Sequence, residues 1–232
     1  MNYDEMRDLF KGSKVALDEG TLLLFHRYAM LLKEWNEKIN LTAITDEPLV
    51  VEKHFYDSLL IAKNMDFAGK SIADIGSGAG FPGMAIALAF PTSKVTLIDA
   101  TRKKFLFLEE VKKELEIKNV SFHVGRVEEM KTQRNHYDIV TARGFAAMNV
   151  FLEVASPLAK KGGALIAMKS LKGEEELMKS KFAIHRLGLV KTNTQKDVLP
   201  DGEIRLNYYF EKKESTPSIY PRPWAEILKK PL

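Results

Sequence analysis

The sequence predicts an α/β fold with a mostly parallel sheet, a C-terminal antiparallel hairpin and an N-terminal helical extension. Three observations predict it: helical periodicity over the first 65 or so residues, short strands alternating with helices from residue 70, and two long strand patterns near the end. The chain of 232 residues is long enough for a sheet covered by helices on both faces. We expect a helical extension over 1–67, an α/β domain over 68–213 and an irregular basic tail over 214–232.

The first elements are two amphipathic helices, over 21–39 and over 48–63. In the first of them the apolar positions that recur at helical spacing are Leu24, Tyr28, Leu31, Leu32 and Trp35. The second has its apolar members at Val51, Phe55, Leu59 and Ile61. These two patterns account for most of the N-terminal extension.

The middle of the chain alternates between strand and helix patterns. The predicted strands cover 71–75, 94–99, 120–124, 137–142 and 163–169. The predicted helices cover 82–90, 102–116 and 148–159. This alternation is typical of βαβ units, and therefore of parallel strands. Two further strand patterns flank a turn at Pro200-Asp201-Gly202, which predicts the closing hairpin.

Composition excludes several classes of site. Cysteine is absent, so there are no disulfides, thiolate metal sites or cysteine nucleophiles, and the five histidines lack metal-ligand spacing. We therefore expect no metal. The N-terminus is charged and no apolar run reaches about 20 residues, so we expect a cytoplasmic protein without a membrane anchor. The net charge of +4 permits a polyanionic partner without requiring one.

The glycine-rich stretch IADIGSGAGFPG, residues 72–83, admits three interpretations. A phosphate-binding P-loop is rejected, because Gly69-Lys70-Ser71 opens a strand and Asn64 occupies the position of the first motif glycine. A dinucleotide fingerprint is the second, since Gly78 to Gly83 match G-x-G-x-x-G and Asp99 lies at a suitable distance. The third interpretation starts from the aspartate that precedes the glycines.

Asp74 ends the first predicted strand, ahead of Gly76 and Gly78. An acid there would repel a pyrophosphate, but it suits a cofactor with cationic groups, such as S-adenosylmethionine. Asp99 ends the second strand, where it can hydrogen-bond ribose hydroxyls; the alternative is that it only caps the next helix near Thr101. These patterns favour S-adenosylmethionine and leave the dinucleotide open.

Several longer segments carry a resemblance to a known family. They are WNEKINLTAI (35–44), HFYDSLL (54–60), DIGSGAGFPG (74–83), LID (97–99), KKFLFL (103–108), GRVEE (125–129), ARGFA (142–146) and GEIRL (202–206). In these segments the chain resembles the glucose-inhibited division protein B family, the bacterial small-subunit ribosomal RNA guanine-N7 methyltransferases. The resemblance implies a Rossmann-like seven-stranded S-adenosylmethionine-dependent methyltransferase fold acting on 16S ribosomal RNA.

The resemblance also implies roles for particular residues. By position, cofactor contacts are expected from Gly76, Phe81, Val127, Glu128 and Arg143, and Asp99 falls on the ribose-binding acid. Arg205 falls on an arginine thought to meet RNA, and Arg126 is the other basic residue that we expect to bind RNA. The chain departs from the family pattern at Ala142 and Gly144, which flank Arg143, and in the middle of its tail, YPRPWAEILKKPL.

Guanine N7 has a lone pair and no proton to remove, so its methylation needs positioning and no general base. We therefore expect no catalytic residue, with Arg143 as the candidate closest to the chemistry. We expect His54 and Asp57 to be a structural pair, the alternative being that His54 is a catalytic base. We expect Phe145 to be a core residue, the alternative being that it stacks on the target base. Small-subunit ribosomal RNA, naked or in a particle, is the expected partner of a monomer. The alternatives are a non-catalytic RNA-binding assembly factor and a nicotinamide-dependent oxidoreductase.

Overall fold

The computed structural model describes residues 1–232, and its centre is one sheet of seven strands. The strands are β1 (Ser71–Ile75), β2 (Lys94–Asp99), β3 (Val120–Val124), β4 (Tyr137–Arg143), β5 (Ala159–Lys169), β6 (Leu189–Val198) and β7 (Ile204–Lys212). They lie in the order β3-β2-β1-β4-β5-β7-β6. Pairing is parallel from β3 through to β5, whereas β7 is antiparallel to both β5 and β6. The predicted sheet and its C-terminal hairpin are confirmed.

The strand order reverses at β1, which pairs with β2 on one side and with β4 on the other. In open α/β sheets the carboxyl ends of the strands diverge at such a point, and ligands bind in the crevice that results. The segments that follow β1 and β4 begin at Gly76 and Gly144. The topology therefore places the glycine-rich loop at the expected ligand site.

Helices cover both faces of the sheet. They are α1 (Tyr3–Lys11), α2 (Glu19–Asn36), α3 (Glu47–Val50), α4 (Asp57–Leu59), α5 (Gly83–Ala89), α6 (Arg102–Glu114), α7 (Met148–Ala155), α8 (Gly173–Lys179), α9 (Lys181–Arg186) and α10 (Trp224–Lys229). One hydrophobic core lies beneath α1 to α6, and a second lies beneath α7, α9 and α10. None of these helices combines the length and the apolar character needed to cross a bilayer.

The N-terminal extension docks on the glycine-rich loop through aromatic residues. The Tyr28 hydroxyl on α2 donates a hydrogen bond of 2.7 Å to the Ala79 carbonyl, and the Tyr28 ring stacks on Phe81. A Cβ at Gly80 would lie 2.3 Å from the Tyr28 hydroxyl oxygen, so the close approach of this tyrosine requires glycine. This glycine therefore serves helix packing and not a ligand.

Some predicted bounds differ from the structure. The predicted helix over 48–63 is present but not uniform, because a π-helical turn, Val51–Tyr56, joins α3 to α4. The predicted helix over 148–159 ends at Ala155, two residues before Pro157, which has no N–H to continue the helical hydrogen bonds. β5 then begins four residues before its predicted start. Helices α8 and α9 were not predicted.

The C-terminal segment, expected to be irregular, contains α10. The helix begins after Pro223, and it buries Ile227 against the core under α7 and α9. One apolar anchor in a short, proline-rich segment gives no helical periodicity, so the sequence pattern did not indicate this helix. The division into residues 1–67, 68–213 and 214–232 stays a prediction.

Candidate functional site

The carboxyl ends of β1 to β4 surround a cavity of about 280 Å³, called here the strand-end cavity. Its lining residues are Ile75, Gly76, Ile98, Asp99, Ala100, Lys104, Gly125, Arg126, Val127, Glu128, Gly144, Phe145 and Trp224. Four of the predicted cofactor residues are among them: Gly76, Asp99, Val127 and Glu128. The other four, Asp74, Gly78, Phe81 and Arg143, do not line this cavity.

Gly76 is the glycine that the cavity requires. Its φ of +69° is a left-handed conformation, which favours glycine. A Cβ here would also lie 2.6 Å from Cδ2 of Phe145, closer than any real contact. The Gly76 amide donates to the Ile98 carbonyl on β2, at 2.8 Å. The loop after β1 is therefore hydrogen-bonded to the end of β2. Because Gly76 has no side chain, it does not fill the cavity.

Asp99 is a hydrogen-bonded carboxylate at the cavity wall. Its Oδ1 accepts from the Thr101 amide at 2.8 Å, and its Oδ2 accepts from the Gly78 amide and the Lys104 ammonium, both at 3.1 Å. Burial opposes ionisation, but these donors outweigh burial and lower the pKa of Asp99. Asp99 therefore holds the turn before α6 and also presents an ionised acceptor to the cavity, and its contact with a ribose stays a prediction.

Asp74 differs from Asp99, although both end a central strand. Its side chain is fully buried, and Oδ2 accepts at 2.8 Å from the Gly83 amide at the start of α5. Burial raises the pKa of Asp74 to about 7, and its Oδ1 accepts no hydrogen bond from the protein. Because Asp74 does not face the cavity, the electrostatic argument against a pyrophosphate loses its premise. A direct contact between Asp74 and a cofactor stays a prediction that this placement does not favour.

Phe81 and Gly78 support the site indirectly. Phe81 is 4% exposed and stacks on Tyr28 and His54, with ring centroids 5.4 and 4.9 Å away. It joins the glycine-rich loop to the helical extension. The Gly78 amide reaches the cavity only through its hydrogen bond to Asp99.

A second cavity, of about 580 Å³, borders the first at Gly144 and Phe145; it is called here the helix-side cavity. Its charged lining comprises five basic residues, Lys53, Arg143, Lys169, Lys172 and Arg205, and three acidic residues, Asp57, Glu176 and Glu203. Phe145 is only half-buried and lines both cavities, so the expectation that it is a core residue is not met. The basic excess suits a phosphate-bearing ligand.

An ion cluster of one aspartate and two arginines forms the wall of the helix-side cavity. Asp57, whose side chain is 3% exposed, accepts through Oδ2 from Arg143 at 3.2 Å and from Arg205 at 3.1 Å. Arg143 also donates to the Lys53 carbonyl at 2.9 Å, and it lies over the Phe81 ring. Burial lowers the pKa of Arg143, although the charge of Asp57 opposes this shift. The cluster therefore locks the N-terminal extension to β4 and β7.

His54 joins this cluster through Arg143 and not through a direct bond to Asp57. An Arg143 N–H points at Nδ1 of His54 from 3.2 Å, and Nε2 lies 2.9 Å from the Thr42 hydroxyl. Nδ1 also lies 3.2 Å from the carbonyl oxygen of Lys53, so a donor and an acceptor both approach this nitrogen. Burial and the Arg143 charge lower the pKa of His54 to about 4. A neutral ring with both nitrogens engaged fits a structural role, but the expected direct pairing of His54 with Asp57 is absent.

The two arginines predicted to bind RNA differ in the exposure of their side chains and in their ion pairs. The Arg205 side chain is 18% exposed and is engaged by Asp57 and Glu203. The Arg126 side chain is 53% exposed, and its one ion pair, with Glu128, is 3.5 Å long. Arg126 also lines a third cavity, of about 690 Å³, beside Lys131, Arg222 and Trp224. Arg126 is therefore the one able to contact a partner without breaking an internal network.

Sequence reasoning did not predict Lys104 or Trp224 as cofactor residues, although both line the strand-end cavity. The sequence signal for Lys104 is its place in the first turn of α6, shortly after the strand that ends at Asp99, with which it pairs. Trp224 has none, since it comes from the C-terminal segment, far away in sequence. The structure contains no group of three or more histidine or acidic side chains placed to hold a metal ion.

Comparison with known proteins gives the family. The family model described as rRNA small subunit methyltransferase G matches residues 22–204. The chain is 43% identical over 236 aligned positions to Ribosomal RNA small subunit methyltransferase G of Staphylococcus aureus strain Newman, covering 100% of this chain and 99% of that protein. The same identity and coverage hold for the protein of strain USA300.

Solved structures support the fold. A SAM dependent methyltransferase from Aquifex aeolicus has a TM-score of 0.57 at 18% identity, over 77% of this chain and 98% of that chain. M. jannaschii TYW2 in complex with AdoMet has a TM-score of 0.53 at 15% identity, over 86% and 79%. These are neighbours in fold, with a sheet of the same kind. With the family match over most of its length and the full-length identity, the chain belongs to the rRNA small subunit methyltransferase G family.

Proposed function

We propose that this chain transfers a methyl group from S-adenosylmethionine to N7 of a guanine in 16S ribosomal RNA. The observation that supports the proposal best is the pair of adjoining cavities. The strand-end cavity is small and carries an ionised acceptor, Asp99, whereas the helix-side cavity is larger and basic. They meet at Gly144 and Phe145, so two ligands bound in them would face each other across this short segment.

The residues of the strand-end cavity fit the cofactor. Its volume of about 280 Å³ lies near the lower end of the ~300–1,000 Å³ of ligand sites, and the adjoining cavities extend it. Asp99 would accept hydrogen bonds from the ribose hydroxyls, and Gly76 would pass close to the cofactor. Val127 and Glu128 would border the adenine base of the cofactor. When bound, the cofactor supplies an electrophilic methyl group on a sulfonium.

The chemistry assigned to the chain is positioning. Guanine N7 attacks with a lone pair and releases no proton at that atom, so no side chain needs to act as a base. The structure is consistent with this, because His54 is neutral and its two ring nitrogens are already engaged by Arg143 and Thr42. Orientation alone supplies several kcal/mol, on the order of 7–11 in the best intramolecular cases.

In this proposal the target guanine occupies the helix-side cavity, and Arg143 and Arg205 form part of its wall. Each shares Asp57 Oδ2, so the two charges are fixed relative to each other before RNA arrives. Exposed phosphate contacts would come from Arg126 and Lys131 on the neighbouring surface. N7 lies on the major-groove edge, which is narrow in duplex RNA, so the target is a loop or a flipped nucleotide.

The test is methyl transfer. Methyl-labelled S-adenosylmethionine is incubated with the protein and with small-subunit particles from cells that lack the gene, and the nucleosides of the digested RNA are separated. We expect label in N7-methylguanosine, and about 10–100-fold less with Asp99→Ala at a cofactor concentration below its Kd. Label in another nucleoside would overturn the guanine N7 assignment while keeping the methyltransferase. A protein that binds particles without transferring label, to them or to naked RNA, would favour an assembly factor.

Two further properties stay predictions within this proposal. A substrate made of ribosomal RNA supports the expectation of a cytoplasmic protein. A monomer stays the expected working unit.

A further inference from the structure

The C-terminal segment contributes one wall of the strand-end cavity through Trp224. This residue lines the cavity together with Gly76 and Asp99, although it follows β7 and takes no part in the sheet. Its indole is half-buried, and the ring centroid lies 5.9 Å from that of Phe145. Trp224 also borders the third cavity with Arg126 and Glu128. It therefore stands where the strand-end cavity meets the surface.

Buried hydrogen bonds hold the segment that carries Trp224. Glu153 on α7 has a fully buried side chain, and it accepts from the Arg222 amide at 3.1 Å and from the Arg222 guanidinium at 2.8 and 2.6 Å. Arg134 donates to the carbonyls of Tyr220 and Thr216, at 2.6 and 2.9 Å. Charge-assisted bonds of this kind are strong when buried. The position of Trp224 is therefore built into the fold and is not that of a loose tail.

We propose that Trp224 is a cofactor-binding residue, whose indole forms an aromatic wall against the adenosine part of S-adenosylmethionine. The inference rests on the proposed occupancy of the strand-end cavity. An indole offers a large, rigid apolar face at small entropic cost, and a purine stacks or packs well against such a face. Trp224 lines the strand-end cavity together with Val127 and Glu128, the residues assigned to the adenine base, and it shares the third cavity with Glu128, which points to the adenosine and not to the methionine.

The chain contains two tryptophans, and they form a natural matched pair. Trp35 lies on α2, packs near Phe107 of α6 and is absent from the lining of the strand-end cavity. Both indoles are half-buried, so both fluoresce from partly shielded positions. Any fluorescence change caused by a ligand in the cavity should therefore come from Trp224 alone.

The experiment titrates S-adenosylhomocysteine into the full chain and into Trp35→Phe and Trp224→Phe variants, and follows tryptophan emission and its quenching by acrylamide. We expect the ligand to change the emission of wild type and of Trp35→Phe, and to protect Trp224 from acrylamide in the latter. In Trp224→Phe the emission should stay constant. By calorimetry, Trp224→Ala should bind about tenfold more weakly and Trp35→Ala should match wild type.

The outcomes separate this inference from the proposed function. If wild type does not bind S-adenosylhomocysteine at all, the cofactor assignment fails and the inference fails with it. If wild type binds, but Trp224→Ala keeps full affinity and the emission of Trp35→Phe is unchanged by ligand, then the cofactor assignment stands and Trp224 is overturned as a contact. Melting curves of Trp224→Phe and Trp224→Ala guard against misfolding, and Trp224→Phe should keep most of the affinity.

Discussion

The ends of β1 and β2 lie side by side and each carries an aspartate, yet the structure uses the two carboxylates in opposite ways. Asp74 is sealed beneath the start of α5, with one donor, an unpartnered oxygen and a pKa raised to about 7 by burial. Asp99 stands at the cavity wall with three donors, which lower its pKa in spite of burial. Neighbouring strand ends of the same sheet thus give one structural and one ligand-facing acid.

The difference arises from the loop that follows each strand. After β1 the chain turns back over its own strand end, so that the Gly83 amide covers Asp74; a Cβ at Gly83 would lie only 2.8 Å from Asp74 Oδ2. After β2 the chain leads directly into α6, whose first turn brings Lys104 to Asp99 but leaves the carboxylate at the cavity. An acid at a strand end is therefore a cofactor candidate only if the next loop leaves it uncovered.

The largest expected effect concerns Asp74 and the pH dependence of stability. Its folded pKa of about 7 exceeds its ordinary 3.8, so between these values the folded state binds more protons than the unfolded state. The contribution of Asp74 therefore favours folding at low pH and is lost as the pH rises from about 4 through 7, by at most roughly 4 kcal/mol. In Asp74→Asn this component disappears. Unfolding free energies by denaturant titration at pH 5 and 8 should show a smaller fall for the variant.

Asp46→Asn is the matched control for that measurement. Asp46 is exposed and its side chain makes no capping hydrogen bond, so wild-type pH dependence should persist. If the free energy of unfolding of Asp74→Asn falls between pH 5 and 8 as much as that of wild type, the pKa of Asp74 is not raised by folding. That result would contradict the buried, structural role.

The sheet could be predicted because β1 to β5 each contain a short apolar run beside a helical pattern, and the hairpin has a clear turn at Gly202. The misses have local causes. β5 starts earlier than its apolar core, because Lys160 and Lys161 lie in its first, polar half. Helices α8 and α9 are short and largely exposed, so they have too few buried positions to show periodicity.

The residues of the site could be predicted where they lie at the ends of predicted strands. Gly76 and Asp99 directly follow or end predicted strands, so they could be placed at the cavity from the sequence. Asp74 and Phe81 have equally strong local patterns, but the packing of α2 and α5 over the loop decides their burial. The contribution of Trp224 depends on where the last segment folds back, and no local pattern encodes that.

The second prediction compares the two acids by cofactor affinity. Asp99→Ala removes an ionised acceptor for the ribose hydroxyls, and hydrogen bonds to charged groups are worth about 1.5–3 kcal/mol, so we expect S-adenosylhomocysteine to bind about 10–100-fold more weakly by calorimetry. Asp74→Asn should stay within about twofold of wild type, because its carboxylate does not reach the cavity. An equal loss of affinity in both variants would contradict the conclusion that only Asp99 faces the ligand.

The smallest expected effect concerns Lys104, the ion-pair partner of Asp99. Lys104 is 29% exposed and pairs with Asp99 at 3.1 Å, whereas the neighbouring Lys103 is exposed and forms no ion pair. A partly exposed pair is worth about 1 kcal/mol or less, so Lys104→Met should weaken S-adenosylhomocysteine binding by about two- to fivefold, and Lys103→Met should leave it unchanged. The carboxylate then has fewer fixed donors and is less well oriented for ribose. A loss for Lys104→Met that exceeds the loss for Asp99→Ala would instead mean that the lysine touches the ligand itself.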